Sequence, residues 1–424
     1  MVRPLYITLL THTHASKLEL FIYKYLVVCY NMMITLGSKQ WLLHTLVCVL
    51  IFLIIEVTSQ VVPITIIEGA VAKGAVCLDG SPPAYQFDAG SGDGVKNWLL
   101  HIQGGGWCYS VNDCRTRTYN KYGSSKNMKS SDYNFTGILS NKQALNPNFY
   151  NWNRVAIRYC DGSSFTGDIE EVDPATNLHF RGARVFDVII QELLGQGMKS
   201  ASKALLSGSS AGGLASLLHC DKFRAFFPTS TQVKCLSDAG YFAHVKDLSG
   251  EYKFEGYYDQ VVNLHGSSKH LNQECISKMK HSLCFYPQYA IPYVKTPIFL
   301  LHSTYDTFQV QNILASPQAD PNGLFTKCKQ DINACTTDQI QRLQYFRSEF
   351  LNALSVFGNG SSRGWFITNC FAHGQCEYQS KWLGNSSCKL NNKAIAEAVG
   401  DWFYDRSMVQ MMDNQNVLPR YCNT

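Results

Sequence analysis

Short apolar runs alternate along this chain with stretches whose apolar positions recur at helical spacing. Lys96 to Ile102 (KNWLLHI), Arg154 to Tyr159 (RVAIRY), Ala204 to Ser207, Val233 to Leu236 and Pro297 to His302 (PIFLLH) read as strands. Gly182 to Gly195 reads as a helix, with Val185, Val188, Ile189, Leu193 and Leu194 on one face and Gly195 and Gly197 as its stop. Gly212 to Cys220, Asp338 to Leu354 and Lys393 to Asp401 read as further helices. The strands are apolar at successive positions rather than alternate ones, as in strands buried on both faces. The pattern therefore predicts an α/β fold: a mostly parallel central sheet with helices on both faces. No internal repeat and no low-complexity linker interrupts it, so residues 60–424 are expected to form one domain.

The N-terminal pattern is different. Met32 and Met33 precede Lys39 and an uncharged apolar run from Trp41 to Ile55, closed by Glu56. That run falls short of the roughly 20 residues that span a bilayer. Val57 and Ser59 suit the −3 and −1 positions of a signal-peptidase site, so 32–59 is expected to be a signal peptide. A retained signal anchor is the alternative. Leu18 to Tyr30 is a second apolar stretch ahead of a complete signal, so residues 1–31 read as an upstream extension.

Composition supports an oxidising compartment. The chain has 16 cysteines and no C-x-x-C pair, which favours disulfides over zinc. Cleavage after Ser59 would remove Cys29 and Cys48 and leave 14, the even number that seven disulfides require. Asn134, Asn359 and Asn385 open N-x-S/T sequons and are candidate glycosylation sites. Lys+Arg number 37 and Asp+Glu 32, with no basic face or stripe, which argues against a nucleic-acid partner.

Gly208-Ser209-Ser210-Ala211-Gly212 matches G-x-S-x-G, with an apolar strand before it and a small-residue helix after. Such a turn exposes a nucleophilic hydroxyl, and the frame selects Ser210, since only Ser210 has glycine at −2 and +2. In this fold class the acid and then the histidine follow the serine. His373 is the single histidine C-terminal to position 302. Cys370 and Cys376 flank it and could close a disulfide loop. Two loop carboxylates compete for the acid, Asp238 and Asp306; the longer strand and later position favour Asp306. Gly104-Gly105-Gly106-Trp107 follows the strand ending at Ile102 and, with the amide of Ala211, reads as an anion site. Cys108 and Cys114 are spaced to stiffen it. No metal or organic cofactor is expected.

Five blocks in order, Gln103-Gly-Gly-Gly-Trp-Cys108, Gly208-Ser-Ser-Ala-Gly-Gly213, Ser237-Asp-Ala-Gly-Tyr-Phe242, Tyr305-Asp-Thr-Phe-Gln309 and Asn369-Cys-Phe-Ala-His-Gly-Gln375, resemble the plant pectin acetylesterases. That family has animal relatives in the Notum carboxylesterases. The resemblance runs from about Val61 to Cys422 and implies an α/β-hydrolase fold and a secreted esterase acting on acetylated pectin in the cell wall. It implies Ser210 as nucleophile, Asp306 as acid and His373 as base, with Gly106, Trp107 and Ala211 as oxyanion donors. It also implies a polysaccharide substrate, no stable membrane partner and a monomer. A long-chain acyl carboxylesterase and a catalytically silent wall-binding protein are the competing readings.

Overall fold

The structure is a computed structural model and describes residues 61–384, 387–414 and 417–422. The expected leader and upstream extension lie outside the described residues, as does the sequon residue Asn385. Nine strands form one sheet: β1 (Ile64–Ile66), β2 (Ala84–Asp88), β3 (Asn97–Ile102), β4 (Asn153–Ile157), β5 (Lys203–Ser209), β6 (Gln232–Asp238), β7 (Ile298–Tyr305), β8 (Arg363–Phe371) and β9 (Gln410–Met412). Their spatial order is β1-β2-β4-β3-β5-β6-β7-β8-β9. Every pairing from β4 to β9 is parallel, while β1 and β2 form an antiparallel edge.

Successive residues of the central strands enter two different cores. Leu100, Leu206, Leu300 and Ile367 pack on one face; Leu99, Leu205, Leu301 and Phe366 pack on the other. The period of two thus divides runs that are apolar throughout. The first face is covered by α2 (Gly182–Gly195), α3 (Ala211–Leu218) and α5 (Thr337–Leu354), the second by α6 (Ile395–Phe403). Two more helices, α1 (Val111–Arg117) and α4 (Lys253–His265), lie in the connections after β3 and β6. Gly182–Gly195 matches its sequence reading at both ends. At α5, Thr336 accepts the Gln339 amide and Gln339 accepts the Thr336 amide, a reciprocal cap that fixes the first turn.

Four strands lie outside the segments that the apolar pattern marks: β1, β2, β8 and β9. The apolar run of β8 is broken by Thr368, Asn369 and Cys370; Asn369 bonds Thr304, Arg347 and the Asp413 carbonyl, and Cys370 bonds Cys422. Among the described residues no helix is long and apolar enough to cross a membrane. Asn134 and Asn359 are exposed.

The expectation of seven disulfides is corrected. Among the described residues six are present: Cys77–Cys160, Cys108–Cys114, Cys220–Cys235, Cys275–Cys284, Cys328–Cys335 and Cys370–Cys422. Cys376 and Cys388 are free thiols. The Cys370–Cys376 loop does not form, because β8 runs beside the C-terminal segment. Phe371 donates its amide to the Arg420 carbonyl at 2.7 Å, and this pairing delivers Cys422 to Cys370. Cys376 turns the other way and lies 3.5 Å from the Ser209 hydroxyl.

Candidate active site

Ser210 stands between β5 and α3 with φ 58° and ψ −127°, a conformation that costs a non-glycine residue energy. Its two glycines are there because nothing else fits. A Cβ on Gly208 would lie 2.2 Å from the Gly212 carbonyl oxygen, and one on Gly212 would lie 2.1 Å from that of Ile102. The sharp turn holds the Ser210 hydroxyl 2.7 Å from His373 Nε2. Ser209, next in sequence, is buried and bonds Asp238 instead.

His373 follows β8, and Asp306 follows β7. Tyr305 pairs with Phe371 in the sheet, so the two loops leave it side by side. Asp306 Oδ2 lies 2.7 Å from His373 Nδ1, while its Oδ1 accepts the Gln309 amide at 3.0 Å. Asp306 is buried; the His373 side chain keeps 23% of its surface exposed. β7 continues three residues past His302, so the carboxylate sits at the strand end rather than out on a loop. A hydroxyl bonded to an imidazole that is bonded to a buried carboxylate can lose its proton to the ring as it attacks an electrophile.

Burial pushes the His373 pKa down, but the charge and hydrogen bond of Asp306, with the Asp238 and Glu377 carboxylates, outweigh it. The net position is above the ordinary 6.5. Burial dominates elsewhere: His219 falls to about 3, and His265 and His302 to about 4, as expected of neutral core histidines.

The glycine loop closes over the elbow. A Cβ on Gly104 would lie 2.9 Å from Ser210 Cβ, so glycine is required at the point of closest approach. The amides of Gly106, Trp107 and Ala211 donate to no group among the described residues and are left for a ligand oxygen. Trp107 is buried and pinned through Nε1 to the Ser164 hydroxyl at 2.8 Å, which in turn donates to the Ala211 carbonyl. Its indole meets Phe242, Tyr258, Phe285 and Phe308 edge-on, with centroids 4.8 to 6.3 Å away. An open cleft begins at Gly106 and Trp107 and runs between Tyr109, Tyr257, Phe308 and the exposed Lys253.

The structure therefore brings together Ser210, His373, Asp306 and the three amides, and keeps Asp238 off His373. Asp238 has other partners: its Oδ2 accepts the amides of Gln375 and Cys376, each at 2.7 Å. Three features near the site have no motif of their own. Ser164 has φ 52° within the loop after β4. Glu377 accepts from Tyr133 at 2.6 Å and contacts the buried His101 at 3.0 Å. Cys376 is buried beside Asp238, and burial drives its thiol pKa well above the ordinary 9, which keeps it protonated and unreactive. Asp238 left a trace in sequence as a carboxylate at the end of a strand, and Cys376 as a cysteine flanking His373, whereas Ser164 and Glu377 left none.

The sheet order and the helices on both faces define an α/β-hydrolase-like protein. A solved structure, the Wnt deacylase Notum from Drosophila, shares the fold: the TM-score is 0.71 at 21% identity, over 85% of this chain and 98% of that one. Residues 55–423 match the family described as Pectinacetylesterase, and the chain belongs to it. Pectin acetylesterase 7 of Arabidopsis thaliana is 49% identical over 86% of this chain and 93% of its own. Pectin acetylesterase 11 of the same plant is 47% identical over 88% and 95%.

Proposed function

We propose that this protein is a secreted serine esterase that removes acetyl groups from pectin in the cell wall. The observation that carries the reading is the hydrogen-bonded chain from Ser210 through His373 to Asp306. Family membership supports the acetylated pectin substrate. Six disulfides fit an oxidising compartment.

In this reading Ser210 attacks the acetyl carbonyl as His373 takes its proton. The tetrahedral oxyanion is received by the amides of Gly106, Trp107 and Ala211. His373 then protonates the departing sugar hydroxyl, and water releases acetate by the same route. Asp306 holds the imidazole in the tautomer that leaves Nε2 free to accept. The rings packed around Trp107 make a rigid wall beside the Gly106–Trp107 loop, which suits a short acyl group. Lys253 on the cleft wall offers a cation to a galacturonate carboxylate.

Acetate release from acetylated pectin by the purified protein, and its loss in Ser210→Ala, tests the assignment. A protein that binds the polymer but releases no acetate would overturn it.

A further inference from the structure

Two side chains grip the back of the Gly104–Trp107 loop. Arg117, the last residue of α1, donates from Nη1 to the Gly105 carbonyl at 2.9 Å. The Tyr159 hydroxyl donates to the Gly106 carbonyl at 2.8 Å. Every described peptide is trans, so the carbonyl and the next amide of one peptide unit point in opposite directions. Holding the Gly105 oxygen therefore aims the Gly106 N–H, and holding the Gly106 oxygen aims the Trp107 N–H.

The two side chains are fixed in their turn. Tyr159 is fully buried, and its oxygen accepts the Ser164 amide at 2.9 Å, which reserves its hydrogen for Gly106. The Arg117 guanidinium lies 5.8 Å from the Tyr159 ring centroid and 5.6 Å from that of Tyr122. A Cβ on Gly105 would lie 2.7 Å from both rings, so glycine lets the loop rest on this aromatic floor. The Cys108–Cys114 disulfide ties α1 back to the loop. Arg117 Nε and Nη2 are buried and have no hydrogen-bond partner among the described residues. Among the described residues no carboxylate pairs with the guanidinium, and its one hydrogen bond goes to the Gly105 carbonyl.

We propose that Arg117 and Tyr159 are positioning residues for the oxyanion hole, aiming and polarising the Gly106 and Trp107 amides. The proposal rests on Ser210 as the nucleophile. A cation bonded to a peptide oxygen draws electron density across the amide and makes its N–H a stronger donor. Such donation counts most when charge develops on the substrate oxygen, so the effect belongs in kcat rather than KM.

The test uses Arg117→Lys, Arg117→Ala and Tyr159→Phe with p-nitrophenyl acetate and acetylated pectin. Arg117→Lys and Tyr159→Phe are each expected to lower kcat about tenfold or more, less than the roughly 100- to 1000-fold effect of a direct donor. KM should stay within about twofold, the signature of an interaction made in the transition state. Arg117→Ala should lose more and regain activity in guanidinium ion at concentrations too low to unfold the protein, where the parent gains nothing. Parental kcat in both conservative variants, or a loss carried by KM, overturns the proposal. If Arg117→Ala fails to fold, those two variants decide alone. Activity retained in Ser210→Ala would overturn the nucleophile assignment. An inactive Ser210→Ala beside unaffected Arg117 and Tyr159 variants would overturn the positioning alone.

Discussion

Asp238 accepts the Cys376 amide at 2.7 Å, which ties the strand beside the nucleophile to the loop that carries His373. The same Oδ2 takes the Gln375 amide and the Ser209 hydroxyl, so one oxygen braces the residue before Ser210 against residues just after His373. Burial raises the Asp238 pKa, and the two amides partly restore the charged form. Asp238→Asn keeps the shape but replaces an acceptor that serves both amides. The expected result is a fall in kcat of about ten- to a hundredfold, the scale of a misplaced reactive group, with KM little changed. The acid limb of the rate should also move to lower pH, because one charge favouring the imidazolium is gone. Parental kcat and an unmoved limb would show that the brace is dispensable.

The elbow frame gives a sharp contrast between neighbours. Ser210→Ala should lower acetate release by several orders of magnitude, on the order of 10⁴-fold or more, and His373→Ala comparably, since members of such a unit do not contribute additively. Ser209→Ala removes a donor to Asp238 and should cost much less. Thermal unfolding checks that the three variants are folded, and a reversed order of activities would reassign the nucleophile.

The pH dependence follows from the raised pKa of His373. The imidazole must be neutral to take the Ser210 proton, so kcat/KM should fall as pH drops through its pKa. Asp306, Asp238 and Glu377 place that midpoint above 6.5. Asp306→Asn removes the nearest charge favouring the imidazolium, so its residual activity should show a midpoint shifted to lower pH. A parental midpoint below 6.5 would contradict this electrostatic picture.

What the sequence discloses here depends on the range of the interaction. The Gly208–Gly212 frame is legible because it reports backbone clashes within one turn. The helix at Gly182–Gly195 is legible because its apolar face is local. Asp238 and Asp306 both end adjacent strands, so spacing alone does not tell them apart. β8 lies against β7, and this puts the His373 loop in contact with Asp306. The cysteines are the counterexample. Fourteen is an even number whether it forms seven disulfides or six with two thiols. Cys370 pairs across 52 positions with Cys422, past the nearer Cys376. Nothing in local spacing reports that the C-terminal segment returns to β8.

The thiols can be counted directly. Alkylation of the unfolded, unreduced protein should label Cys376 and Cys388 and no other cysteine among Cys77 to Cys422. In the folded protein Cys388 should react faster, because Cys376 is fully buried and its thiol is held protonated. Peptide mapping by mass spectrometry reads both. A peptide linking Cys370 to Cys376, or no labelled cysteine at all, would refute the pairing.

Acyl-chain length tests the substrate class at the same site. Phe308 lies between the two halves of the chemistry: its ring is 6.0 Å from that of Trp107 and 5.5 Å from that of His373. Phe242, Tyr258 and Phe285 pack against Trp107, so its indole forms a fixed wall at the start of the cleft. A deep acyl pocket would gain about 0.8 kcal/mol for each methylene buried, and activity would climb with chain length. A shallow site walled by packed rings gains little from added methylenes. Activity on p-nitrophenyl esters is therefore expected to be highest for acetate and to fall through butyrate to octanoate. Phe308→Ala opens the wall and should raise the butyrate-to-acetate ratio of kcat/KM above the parental value. Lys253 is an exposed cation on the cleft wall, so added salt should weaken binding of acetylated pectin more than that of neutral acetylated xylan. Octanoate cleaved faster than acetate, with a polymer preference indifferent to salt, would replace the pectin reading with that of a lipid carboxylesterase.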